Sequence, residues 1–195
     1  MKKKEARNLL KFLFEAGELK RVKRSGWWTA KVPNPESVAE HSFRCAIIAF
    51  VLASEEENGN ADKLAVLSLF HDLPEARILD LHKISTEYID KKQAEKKVAV
   101  EQFSLLPKKS AKNIPAVQKT SEKERRILKD ADLLECAIQA REYFDAGCKD
   151  AWYWILAAER KMSTESAKQL VSLLKKTNSN IWWEKLREKI VNGNG

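Results

Sequence analysis

Residues 64–74 read LAVLSLFHDLP. Leu64 to Phe70 is apolar almost throughout, the pattern of a buried helix, and Pro74 marks its end or the next turn. His71 and Asp72 stand where that buried segment closes. An imidazole beside a carboxylate is costly to bury unless something pairs with both, and a divalent cation would. The same two residues could simply cap a helix or face solvent, so the rest of the chain has to weigh in.

Upstream, Ser37-Val38-Ala39-Glu40 is a capping box, Ser at the N-cap and Glu at N3, and it predicts a helix to about Glu56. His41 falls in its first turn and shares a face with Cys45, Ile48 and Leu52, so it points inward among apolar neighbours. Before it lies an irregular basic stretch, GELKRVKRSGWWTAKVPNPE, holding Arg24 and the pair Trp27-Trp28. Paired tryptophans in a loop anchor it to the body, or wall a pocket with an aromatic face against a base or sugar. Asn58-Gly59-Asn60 reads as a turn, with Asn60 a plausible cap for the helix leading to His71.

Downstream, EARILDLHKIS follows Pro74. Glu75 is four residues from His71, on the same face if the turn is helical. Asp80 and His82 lie close by. Thr86 to Leu106 reads as a charged helix. Residues 107–120 are basic, hold Pro115 and lack a period, which predicts a lid, a dimer contact or a connection. A second capping box, Ser121 to Glu124, opens a helix that Gly147 stops. Asp132 lies four residues from both Leu128 and Cys136 and so faces inward, whereas Asp130 falls on another side. An inward Asp in a helix interior needs a partner.

The outer parts are helical as well. Leu9, Leu10, Leu13 and Phe14, with Phe12 beside them, predict an amphipathic helix from about Lys3 to Ala16. Three helices close the chain: Ala151 to Lys161, Thr164 to Lys176, and Ile181 to Val191, with the final NGNG fraying. No strand pattern or internal repeat is visible. The reading is all-α: one domain over 1–195, a bundle of about seven to nine helices, its motif-bearing core at about 19–147 and C-terminal helices at about 150–191 packed on it.

Composition bounds the function classes. The 195 residues carry a net charge of +8, which favours anionic partners, although much of the excess sits in solvated runs such as Lys2-Lys3-Lys4. Three cysteines with no CxxC fit a reduced, intracellular protein. The N-terminus lacks the apolar core of a secretory signal, and no apolar run is long enough to span a bilayer. The expectation is a soluble cytoplasmic protein with no membrane partner.

His41, the pair His71-Asp72, and Asp132 thus come from three different helices, and each asks for a partner. Two His and two Asp make a mixed nitrogen and oxygen set that suits manganese, iron, cobalt, nickel or zinc. The bland reading of each residue would have to hold four times over.

This pattern, written here as AEHS, FHDLPE and LKDADLLE, resembles the HD superfamily of metal-dependent phosphohydrolases. The likeness is to its 5′-deoxynucleotidase branch, which also carries an upstream Arg and Trp, a PESVAEHS-like stretch, and counterparts of Glu75 and Asp80. It covers roughly Leu19 to Gly147. The resemblance implies a helical HD domain and one divalent metal (cobalt, manganese, nickel, iron, zinc or magnesium) held by His41, His71, Asp72 and Asp132. It implies Glu75 as the residue that orients or deprotonates water, and Asp80 as donor to the leaving 5′ oxygen or as a sugar contact. It further implies Arg24 on the phosphate, Trp27 packed on deoxyribose (Trp28 fits the register less well), a deoxynucleoside 5′-monophosphate substrate and a homodimer, with the Trp-rich C-terminal helices as the contact. One departure is visible: bacterial members have Arg directly before Trp, where this chain has Gly26, as archaeal and eukaryotic relatives do.

Three other readings stand beside it. One is an HD hydrolase of cyclic nucleotides, alarmones or nucleoside triphosphates. Another is a basic nucleic-acid-binding protein with a structural metal, against which the basic residues are dispersed and no recognition motif occurs. The last is a non-catalytic helical interaction protein, which would need neither metal nor Glu75.

Overall fold

The computed structural model describes residues 1–57, 60–114, 119–191 and 193. Eleven α-helices follow one another among them: α1 (Lys3–Glu18), α2 (Val38–Glu55), α3 (Ala61–Phe70), α4 (Glu75–Ile78), α5 (Lys83–Thr86), α6 (Lys91–Ser104), α7 (Lys108–Asn113), α8 (Glu122–Asp145), α9 (Trp152–Glu159), α10 (Glu165–Leu174) and α11 (Glu184–Val191). Short 3₁₀ turns occupy Ser25–Ala30, Lys149–Ala151 and Ser179–Trp182. There is no strand among the described residues, only an isolated bridge between Lys23 and Ser37. The fold is all-α, as expected. The count exceeds nine because α4, α5 and α7 are single turns or little more, too short to give a period.

Helix α8 is the central element. Its Ser121–Glu124 capping box forms, and Gly147 ends it at a φ of +104° that a side chain would resist. Helices α2, α9 and α10 pack against it, and α3 lies along α2. Leu52, Leu64, Ile127, Leu134 and Ile155 are fully enclosed between them, each stabilising the fold by about 1.5–3 kcal/mol. A second cluster, built on Phe12, Leu19, Val22, Val38 and Leu73, ties α1 to the start of α2 and to Leu73 beside the site.

Several local expectations change. α1 turns Phe12 inward, whereas Leu10, Leu13 and Phe14 stay in solvent. The helix expected from Thr86 starts only at Lys91, because the Asp90 side chain takes the Gln93 N–H and caps it there. Residues 108–113 of the expected loop are helical. Asn60 sits at the α3 N-cap, but its side chain donates to Glu124 rather than capping. Asp130 is fully buried, where it accepts the Ser163 and Thr164 N–H groups (2.9 and 2.6 Å) ahead of α10. The Asn58–Gly59 turn, Pro115 and all of the terminal NGNG except Gly193 lie outside the described residues.

Candidate metal centre

The inward face of α2 carries His41 next to Cys45, and the end of α3 delivers His71 and Asp72 opposite it. From α8 comes Asp132. The Nε2 atoms of His41 and His71 are 3.4 Å apart. Asp72 Oδ2 is 3.1 Å from His71 Nε2 and 3.7 Å from His41 Nε2, and Asp132 Oδ1 is 3.6 Å from His41 Nε2. Donors bound to one ion at 2.0–2.2 Å stand about 3.0–3.4 Å from each other. The nitrogen and oxygen donors present, 3.1–3.7 Å apart, are of the kind and near the spacing that a divalent cation would take.

Both histidines are oriented for that task. His71 Nδ1 is 2.6 Å from the Ser68 carbonyl, and His41 Nδ1 is 2.5 Å from the carboxylate of Glu135. A proton on each Nδ1 satisfies these contacts, so that a metal displacing any proton from Nε2 would find both Nε2 atoms on the same side. Cys45 is close to both histidines, and burial above all pushes its thiol up. Burial disfavours charge on Asp72, yet His71, Arg24 and His41 outweigh it and hold the carboxyl far below its usual range. Burial likewise opposes a proton on His71, but Asp72 and Asp132 raise its pKa to about 9. Concentrated negative charge of this kind is what a cation would neutralise.

Around this centre the other expected residues are placed unequally. Arg24 Nη1 is 3.5 Å from Asp72 Oδ2, so Arg24 reaches the centre. A Cβ at Gly26 would meet only His82 Cβ, at 4.0 Å, so Gly26 is not required by crowding. Glu75 is buried at the start of α4; Lys91 Nζ sits 2.8 Å from its Oε1, and Oε2 has no partner among the described residues. Burial, then Asp72, push Glu75 up to about 8 despite Lys91. Asp80 Oδ2 takes the Ser25 N–H (2.6 Å) and its carbonyl takes the Ser25 hydroxyl (2.7 Å), clamping the turn that carries Arg24. Trp27 is only 2% exposed: its N–H donates to Glu36, and Tyr143 and Trp154 pack on the ring. The indole is thus closed in by protein, while Trp28 is 56% exposed.

Sequence reasoning missed Glu135, Arg44 and Lys91. Two signals were present. Glu135 lies three residues past Asp132 within an otherwise apolar LLECA, and Arg44 lies three past His41 on α2. Lys91 gave none, being one of many lysines in a Lys-rich helix.

The HD domain family model matches residues 16–174. The 5′-deoxynucleotidase HDDC2 of Bos taurus is 35% identical over 145 residues, 72% of this chain and 70% of that protein. Its Homo sapiens counterpart is 34% identical over the same length and shares. A solved structure of a conserved hypothetical protein from Pyrococcus furiosus superposes with a TM-score of 0.68 at 30% identity, covering 86% of this chain and 99% of that one. Helical architecture, the paired histidines and aspartates, and these matches lead to one conclusion: the chain belongs to the HD domain family.

Proposed function

We propose that this chain is a metal-dependent 5′-deoxynucleotidase that hydrolyses deoxyribonucleoside 5′-monophosphates to deoxynucleoside and phosphate. One observation carries the reading. Donor atoms of His41, His71 and Asp72 lie 3.1–3.7 Å from one another, Asp132 Oδ1 lies 3.6 Å from His41 Nε2, and Arg24 reaches Asp72, which supports a shared metal held by these four residues. The two similar HDDC2 proteins bear the name 5′-deoxynucleotidase.

A divalent ion held by those four residues would neutralise phosphate charge and acidify water. Arg24 offers forked donors to the phosphate oxygens. Glu75, with Oε1 fixed by Lys91 and Oε2 free, orients the attacking water and takes its proton. Asp80 uses Oδ2 to hold the Arg24 turn and keeps Oδ1 for the sugar or the leaving 5′ oxygen. Trp27 acts on sugar choice through the shape of the wall it fills, since no face of its ring is open.

We also propose a homodimer in the cytoplasm. Phe43, Ile47, Phe50 and Val51 form an exposed apolar stripe at helical spacing on α2, which suits pairing with a second copy. The three cysteines are free, and no helix among the described residues is long and apolar enough to cross a membrane.

A second reading, hydrolysis of a substrate with several phosphates, has one observation in its favour. Lys129 Nζ stands 2.7 Å from Asp132 Oδ2, which places a further cation beside the centre. Phosphate release from matched nucleoside mono-, di- and triphosphates, ribo and deoxy, with each of several divalent ions, separates the readings. Deoxynucleoside monophosphates as the fastest substrates support the first, and faster turnover of triphosphates replaces it with the second.

A further inference from the structure

His41 and His71 aim the same nitrogen at the same point but are backed differently. Behind His71 is a neutral group, the Ser68 carbonyl. Behind His41 is the carboxylate of Glu135, itself wholly buried. Arg44 grips the other oxygen of Glu135 through Nε (3.0 Å) and Nη2 (2.9 Å). Its remaining contacts are Gln139 Oε1 (2.6 Å) and Glu142 Oε1 (2.7 Å), so Arg44 lies along one stripe of α8. A buried ion pair adds little net stability compared with apolar packing of the same volume. What this pair does supply is direction and negative charge at one atom, His41 Nδ1.

On the reading of this centre as a metal site, we infer that Glu135 is a positioning residue for His41. It fixes the tautomer with the proton on Nδ1, aims the Nε2 lone pair and makes His41 the stronger of the two imidazole donors, while Arg44 holds Glu135 in place. Carboxylate support of this kind is typically worth about 10–100-fold in metal affinity.

The test is cobalt binding by the full chain, stripped with a chelator and titrated against a competing one, followed by the visible absorption of the bound Co²⁺. Glu135→Gln is expected to bind Co²⁺ about 10–100-fold more weakly than wild type, with an altered spectrum, both measured at a temperature where the metal-free variant is shown to be folded. Glu135→Asp, which restores the charge at a longer reach, should regain part of the loss. Wild-type affinity and spectrum in Glu135→Gln would overturn the inference. Absence of Co²⁺ binding by wild type, or full binding by His41→Ala, would instead overturn the metal reading on which it rests. Should Glu135→Gln fail to fold, ¹⁵N spectra of the Zn²⁺-loaded wild type decide, and with three histidines in the chain the assignment is short. A slowly exchanging proton on His41 Nδ1 is expected, and a proton on Nε2 would overturn the inference.

Discussion

Glu75 has one oxygen on Lys91 and the other without a partner among the described residues, and its side chain is buried. As a base it would be worth about two to four orders of magnitude in turnover, and it is not needed as a metal donor. Glu75→Gln is therefore expected to keep its metal content and nearly its Michaelis constant while turnover falls by about 100- to 10,000-fold; wild-type turnover with metal verified in place would remove it from the chemistry. Leu79 gives a prediction of opposite sign. It ends α4 at φ 65° and ψ 169°, a region that only glycine occupies freely, and its side chain is largely in solvent. Relief of about 1–3 kcal/mol of strain against about 0.5–1 kcal/mol of added chain entropy should make Leu79→Gly more stable by about 1 kcal/mol, read as a melting temperature a few degrees higher. At this scale the sequence was informative where a polar group broke an apolar face. His41, His71, Asp72 and Asp132 all do so. Lys91 is not legible because 64 of 195 residues are charged, and in such a chain a helical Lys looks like solvated surface, whereas Glu135 inside LLECA does break an apolar run.

Among elements, α1, α4 and α6 are joined by one side chain. Arg77 donates to Glu15 on α1 (2.6 and 2.9 Å) and to Glu101 on α6 (2.6 Å), and Gln102 adds a bond to Glu15. The Arg77 hydrogen bond, against burial, lowers the Glu15 pKa below its ordinary 4.5. A carboxylate whose pKa is lowered by folding contributes stability in full above its unfolded value and loses it as pH falls through its folded one. Arg77→Met should thus cost about 1 kcal/mol at pH 7, and urea titrations should show that deficit shrinking below pH 4.5. An unchanged deficit at strongly acid pH would mean that Arg77 acts by packing alone. Element boundaries were legible where a capping box marked them, at Ser37 and Ser121. They were less legible from Lys83 to Ser104, where Lys and Glu are interspersed among the apolar residues and the local Asp90 cap, rather than a hydrophobic period, sets the start of α6. The apolar stripe of α1 was legible, but not which of its residues is buried, because the position of the second cluster selects Phe12.

For the whole molecule, the α2 stripe is the surface on which assembly can be tested. Ile47→Glu places a charge in the middle of Phe43, Phe50 and Val51 without touching the core. If the stripe is the dimer contact, light scattering after gel filtration should give a monomer mass for the variant and twice that for wild type; a dimeric variant would move the contact elsewhere, with the largely exposed Trp182 of the C-terminal region next in line. The arrangement around α10 has a consequence of another kind. Thr164 at its N-cap makes no capping bond of its own; the preceding N–H groups are held by Asp130 of α8, and Ser166 N–H by Glu56 just beyond α2. A helix whose start signal is supplied by two distant carboxylates has no reason to nucleate by itself. It should join the folding chain only after α2 and α8 have met, so its contacts belong to the downhill side of the barrier. Substituting Ala167, buried on α10, with Gly should then quicken unfolding while leaving the refolding rate nearly untouched, and stopped-flow traces across urea would show one limb moving and the other standing still.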